Sequence, residues 1–493
     1  MRSARGVASG AVLTTRRGVI CGADPLVRAG RPRPALFPED RIPATGEAPA
    51  RGPAADGGVR PTITSARAPL WQGRSIKSQI ADLSALGHVA FAFLWLFVFS
   101  FPAEKSFDIP GLGTLSRLFG LMALGAGVLA AVADRRLRPL NRTHAALALF
   151  VFWATLTVRW SVAPDDTAIK IQTYLQLLGM AWLVWEFCPT EARVAAIMRA
   201  YVFGTFYADY DTFSRWLSAH QTYYQRYATA GFDPNDLALT LALSIPLSFF
   251  LAVRARRWRA WIYWLQIAMA FLTILLSASR TGFVAACLAA AIVPLGAKYM
   301  GRTERRLIAV GVAAVVVATM AVVPATSWKR ISTIGAEVQS GSFNSRSLIW
   351  SAGFAEFRQH PLGGVGAGAY PRAVEPVMGW PTWWRVVAHN TFFSVLVETG
   401  IVGFALFATV LGMLVAVVKR MAGVERLLWS VMLVVWAVGV NTLSWELRKP
   451  TWLLFALLLA TARLTAAERQ KAGAETVRPP ARRFSPAPEV VLP

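Results

Sequence analysis

Charge is scarce in this chain. Only 16% of its 493 residues are Asp, Glu, Lys or Arg, against about a quarter in soluble domains. Acidic residues are scarcer still, 27 against 51 basic ones, leaving a net charge of +24. The three cysteines, Cys21, Cys188 and Cys287, are too few and too far apart for a disulfide framework or a Cys-x-x-Cys metal site. Cys188 and Cys287 fall in or beside apolar runs, where a thiol behaves as a small hydrophobe. These shortages exclude a soluble globular domain, a disulfide scaffold and a structural zinc site.

What is abundant is hydrophobic length. Apolar residues make up 55% of the chain and mean hydropathy is +0.45. Apolar stretches recur at 85–101, 115–133, 145–158, 174–187, 195–207, 237–253, 261–276, 283–295, 307–323, 391–418, 427–440 and 451–464. With their flanks, many approach the ~20 residues that cross ~30 Å of hydrocarbon. The expected fold is all-α, a polytopic transmembrane bundle of about twelve spans. The runs beginning at Tyr174 and Ala195 are read as short and interrupted.

The excess positive charge is distributed in a way that argues for orientation. Basic clusters occur at Arg135–Arg142, Arg193–Arg199, Arg254–Arg259, Lys298–Arg306 and Lys419–Arg426, one in every second loop. By the positive-inside rule those loops and both termini are cytoplasmic. Orientation accounts for these arginines, so no nucleic-acid partner is expected.

The chain then divides into residues 1–80, a basic tail; 81–323, an N-terminal membrane bundle; 324–390, a large periplasmic loop; 391–465, C-terminal membrane helices; and 466–493, a second tail. The first tail is rich in Ala, Arg, Gly and Pro without apolar periodicity. It reads as disordered, or as an over-long translation start. Arg16-Arg17 lacks the apolar core of an export signal. The Pro-rich end of the chain is expected to be unstructured in the same way.

Within the large loop, Asn344 or Ser345 is placed to cap a helix that contains Arg346 and continues to Arg358. Leu348, Ala352, Ala355, Phe354 and Phe357 are its expected apolar stripe. Pro361 and the run from Gly363 to Gly368 stop it, and that run reads as a tight turn, since neither a preceding strand nor a following lysine supports a phosphate loop. Trp380, Trp383 and Trp384 suit interfacial anchoring. A second polar loop carries Arg226 and ends in Asp233-Pro234-Asn235-Asp236, a helix-starting turn.

Polar residues therefore collect on one side. Ser277 to Gly282 (Ser-Ala-Ser-Arg-Thr-Gly) sits between two apolar runs. Ala388-His389-Asn390 runs straight into a span containing Glu398. Ionisable groups there are costly unless used. Arg226, Arg280 and Arg346 supply forked, permanently charged phosphate ligands. His389 supplies a base near neutral pH. Together they suit an anionic, lipid-linked substrate. The plainer alternatives are a helix N-terminal polar residue for His389 and an interfacial snorkelling arginine for Arg280. Asn390, Ser394 and Glu398 share one helix face at i, i+4 spacing, suited to a neighbouring helix or a cavity. Nine residues separate His389 from Glu398, too far for Glu398 to orient it.

These segments carry a family resemblance. Ser279-Arg280-Thr281-Gly282, the turn at Phe232-Asp233-Pro234-Asn235, Asn344-Ser345-Arg346 with Trp350, His360 through Gly368, and Ala388-His389-Asn390 with Glu398 through Gly403 resemble the O-antigen ligase/polymerase family, over about 226–403. The resemblance implies a bacterial inner-membrane C-type glycosyltransferase. Its donor would be a glycan on undecaprenyl diphosphate, taken on the periplasmic side. A ligase passes that glycan to a lipid A core; a polymerase passes it to another lipid-linked repeat. Carried over, Arg280, Arg346 and, less directly, Arg226 hold the diphosphate, and His389 acts at the acceptor. Ser279, Asn235, Asn390 and Glu398 are supporting polar residues. No cofactor and no metal are expected. The basic tail before Lys77 departs from the family. A flippase or transporter is the reading from another class; no inverted repeat is apparent, and the polar residues gather at one side rather than at mid-bilayer.

Overall fold

The computed structural model describes residues 83–477, apart from 105, 107, 110–112, 136, 220–225, 334–345 and 380–385. The expectations for the first tail, for the Asn344 or Ser345 cap and for Trp380, Trp383 and Trp384 lie outside the described residues, as does the chain beyond Val477.

The described residues are helical nearly throughout. In chain order the helices are α1 (Ala85–Phe99), α2 (Leu115–Asp134), α3 (Arg142–Leu156), α4 (Pro164–Phe187), α5 (Glu191–Ser218), α6 (Pro234–Ala252), α7 (Arg257–Leu276), α8 (Arg280–Ala290), α9 (Ile292–Leu295), α10 (Arg302–Val322), α11 (Ala325–Ser332), α12 (Arg346–Gln359), α13 (Tyr370–Met378), α14 (Thr391–Arg420), α15 (Gly423–Val440) and α16 (Lys449–Val477). Two-residue strands, β1 (Asp108–Ile109) and β2 (Gly113–Thr114), pair antiparallel between α1 and α2. Seven described helices (α2, α6, α7, α10, α14, α15 and α16) are long and apolar enough to cross a membrane. The apolar helices α1 and α8 with α9 are shorter, α3 is also short, and α4 and α5 carry more polar residues. This is an all-α polytopic membrane fold, as the hydropathy predicts.

Helix α6 is the axis of the bundle. Every residue from Asp236 to Ala252 is buried, as befits a helix apolar on all sides. It packs against α5, α7, α8 and α15. Ser244 and Ser248 do not interrupt it; the Ser244 hydroxyl donates back to Leu241 O at 2.7 Å within the helix. Its first turn is capped by Asp233, whose side chain accepts the Asn235 N–H at 2.8 Å. The most deeply held helix thus carries the Asp233-Pro234-Asn235-Asp236 turn on its tip.

Three expectations are corrected. The spans at Tyr174 and Ala195 are neither short nor interrupted: α4 has 24 residues and α5 has 28, because Lys170, Glu186 and Asp209 are buried inside the bundle rather than breaking it. The last helix continues past Ala466 to Val477, where Ala, Glu, Arg and Lys favour helix. Along α12 the buried residues are Ile349, Ala352 and Gly353, while Leu348 and Phe354 are exposed. The packed face is rotated from the expected stripe because Tyr370 and Phe393 close on Gly353.

Candidate functional site

The turn between α7 and α8 presents the first arginine. Ala278, fully buried, has a left-handed backbone (φ 49°), a conformation that costs a non-glycine residue about 1–2 kcal/mol. Ser279 then caps α8, accepting the Gly282 N–H at 3.1 Å. Its hydroxyl donates to Asn235 Oδ1 at 2.8 Å. The same oxygen accepts from Arg226 Nη2 at 2.7 Å, while Arg226 Nε donates to Ser277 O at 3.1 Å. Arg226, Asn235 and Ser279 therefore clamp the α6 tip to the α7–α8 turn. Arg280, the first residue of α8, stands beside that clamp.

The loop helix brings the second arginine and fixes the histidine. Arg346 opens α12 close enough to Arg280 and Asp233 to feel both charges. Burial holds its pKa below the usual arginine range, with Asp233 opposing and Arg280 adding to the fall. Four residues on, Trp350 donates its indole N–H to Ala388 O at 2.8 Å. Asn390 caps α14 by accepting the Phe393 N–H at 3.0 Å. Between these anchors His389 is left-handed (φ 48°). Burial holds its imidazole below the usual pKa of 6.5, and Arg346 pushes the same way; Asp233 and Asp236 pull it back up. Arg280, Arg346, His389 and Asp233 thus meet at the tip of α6, from four segments of the chain. Among the described residues, two of the three left-handed non-glycine residues lie in this site, where such strain is commonly stored.

A second set of contacts supports the histidine from behind. Thr391 Oγ1 donates to Leu443 O at 2.8 Å and accepts the Trp445 N–H at 2.7 Å. Trp445 Nε1 in turn donates to Asp236 Oδ1 at 2.8 Å, and Arg448 pairs with the other Asp236 oxygen. The segment before α16 therefore ties the start of α14 to the first turn of α6.

Glu398 lies elsewhere, as its spacing from His389 predicts. Its Oε2 is 2.5 Å from Lys170 Nζ on α4, and the same Nζ is 2.8 Å from Glu446 Oε1. Ser394 donates to Glu446 at 3.1 Å. All three charged side chains are buried. Glu398 does bind a neighbouring helix and Ser394 the turn before α16, whereas Asn390 on the same face serves as the cap.

The glycine run is a clasp on a broken helix. At Gly400 (φ 67°, ψ −173°) α14 is kinked. Val365 and Gly366 donate N–H bonds to the carbonyls of Val397 and Glu398 at 3.0 and 2.9 Å, and Gly368 donates to Glu398 Oε2 at 2.8 Å. These donors are spent on α14, consistent with a tight turn rather than a phosphate cradle. A Cβ on Gly364 would lie 2.4 Å from the Glu398 carbonyl carbon. One on Gly400 would lie 2.1 Å from Leu362 O. Each backbone needs the other's missing side chain.

Comparison with known proteins adds one match: residues 265–408 fit the sequence profile of the O-antigen ligase family. The matched segment contains Arg280, Arg346 and His389. This match supports the resemblance to the O-antigen ligase/polymerase family. No curated protein matches it significantly. The match supports an O-antigen ligase/polymerase type of function and lipid-linked glycan substrates in general terms. Lys170, Arg226, Asp233, Asp236 and Glu446 lie outside the matched segment, yet each touches or faces residues within it. Sequence reasoning passed over Lys170 and Glu446, and took Asp236 only as part of a helix-starting turn. A lysine four residues before an apolar run was a weak signal for the first; its partners, 228 and 276 residues away, left no local trace.

Proposed function

We propose that this protein transfers a glycan from undecaprenyl diphosphate to a lipid-anchored acceptor at the periplasmic face of the bacterial inner membrane. The acceptor we favour is a lipid A core. The observation that carries the reading is the convergence of Arg280, Arg346 and His389 at the α6 tip.

An acceptor hydroxyl attacks the anomeric carbon of the donor sugar. The new C–O bond forms as the bond to the diphosphate oxygen breaks, and undecaprenyl diphosphate leaves. The guanidinium groups of Arg280 and Arg346 take up the charge developing on that leaving group. His389 accepts the hydroxyl proton at its free ring nitrogen. Its depressed pKa keeps the ring neutral, and so available as a base, at and somewhat below neutral pH. Arg226 acts through Asn235 and Ser277 to hold the turn that aims Arg280.

The deciding experiment is the composition of the lipid pools in a deletion strain. Full-length polymer accumulating on undecaprenyl diphosphate, with lipid A cores left bare, is the expected result. Accumulated single repeats would make the protein a polymerase. Lipid-linked glycan trapped on the cytoplasmic side would overturn transfer altogether and leave a flippase.

A further inference from the structure

A cavity of about 400 Å³ lies between α2 and α4, separate from the arginine and histidine site. Its walls are apolar: Leu121, Leu124, Leu177, Met180 and Leu183 among them. Leu121 is 53% exposed and α2 is mostly unburied, so the wall on the α2 side borders the bilayer. One end is rimmed by charges of both signs, including Arg117, Arg448, Lys449, Glu104 and Asp108. A smaller cavity of about 30 Å³ shares Glu104, Arg448 and Lys449 with that rim and is also lined by Asp233 and Asp236. The rim therefore leads to the carboxylates that face His389.

Two polar side chains stand where a plain hydrocarbon groove has no use for them. Thr173 and Gln176 line the cavity on α4. Lys170, on the same helix, bonds Glu446, two residues before Arg448. At ~1.5 Å per residue, Thr173 and Gln176 lie about 4.5 and 9 Å below that level. Thr173 spends its hydroxyl proton on Ile169 O at 3.0 Å, so its oxygen can accept from a ligand. The Gln176 amide, exposed to the cavity, can donate and accept.

This layering separates acylated lipids from polyprenyl ones. A polyprenyl diphosphate has no hydrogen-bonding atom below its phosphates. An acylated glycolipid carries esters, amides and hydroxyls in the first several ångströms of its chains, below a phosphorylated sugar head. Cations at the rim suit the phosphates and carboxylates suit the sugar hydroxyls. We infer that the α2–α4 groove binds the acceptor, a phosphorylated and acylated glycolipid, with its chains along α4 and its head directed towards Asp233 and His389. This rests on the transfer reading above and deepens it, because such a lipid is the acceptor of a ligase and not of a polymerase.

The test is binding, measured by native mass spectrometry on the purified full chain. The probes are a phosphorylated, acylated glucosamine disaccharide, undecaprenyl diphosphate and phosphatidylglycerol. A Cβ on Gly179 would make only ordinary contact with Leu124, at 3.4 Å. Gly179→Leu therefore fills the groove from within, and Gln176→Leu removes the amide with less steric change. Each is expected to weaken glycolipid binding about tenfold or more and leave undecaprenyl diphosphate binding unchanged. Three results overturn the proposal: no glycolipid bound by the native chain, loss of the polyprenyl lipid instead, or equal displacement of the glycolipid by phosphatidylglycerol. If Gly179→Leu does not fold, Gln176→Leu decides. Because binding needs no turnover, a chain that binds the glycolipid in this groove yet transfers nothing refutes the transfer reading while leaving the groove in place.

Discussion

The indole of Trp350 holds the carbonyl of Ala388, the residue immediately before His389, at 2.8 Å. One helix, α12, thus presents Arg346 from its first residue and fixes the approach to His389 from its fifth. The relative placement of Arg346 and His389 depends on this bond. Trp350→Phe keeps the ring and removes the donor, a change of about 1 kcal/mol in stability. It is expected to lower turnover about tenfold while donor affinity holds. Equal losses in both would place Trp350 in packing alone.

Arg280 is expected to act through forked geometry as well as charge. Arg280→Lys should therefore reduce transfer almost as much as Arg280→Ala, since an ammonium cannot span two phosphate oxygens. Assays with purified enzyme decide it; near-normal transfer by the lysine variant would reduce Arg280 to an interfacial anchor.

For His389 the sign of the pH dependence follows from its surroundings. Burial and Arg346 lower its pKa, so the neutral base persists to a pH below 6.5 and activity falls only as pH drops through that lowered value. Asp233 opposes the fall. Asp233→Asn keeps a competent helix cap and should move the acid limb to still lower pH. His389→Gln should cost ~10²-fold or more at every pH while donor binding survives. A limb that stays in place in Asp233→Asn means another group titrates.

The Lys170–Glu398–Glu446 cluster places one cation between two carboxylates inside the bundle. Removing the cation leaves buried carboxylates without their partner, at a cost of about 3–5 kcal/mol. Lys170→Met should lower the unfolding temperature in detergent markedly. The triple change Lys170→Met, Glu398→Gln, Glu446→Gln should recover much of the loss. If the single variant unfolds like the native chain, the cluster adds little to stability.

Helix identity, span pattern and the polar breaks at Arg280 and His389 are properties of local sequence. Apolar length sets a membrane helix, and an arginine or histidine at its mouth stands out against that background. The i, i+4 spacing of Ser394 and Glu398 likewise foretold a shared face, and nine residues ruled out a contact with His389. Which helix that face would meet was a matter of packing. Lys170 precedes Glu398 by 228 residues, and only the tertiary structure brings α4 beside the kink at Gly400. The glycine run reads as a turn from its composition; its role as a clasp appears once Gly364 is seen against the Glu398 carbonyl. By its residues alone the Asp233-Pro234-Asn235-Asp236 turn reads as a helix start; only the family resemblance made Asn235 a supporting residue. The turn becomes part of the site because α6 is the buried axis of the bundle, so its tip lies where the α7–α8 turn, α12 and the start of α14 converge. Periodicity encodes the faces of one helix; the meeting of residues from separate helices is decided by how those faces pack.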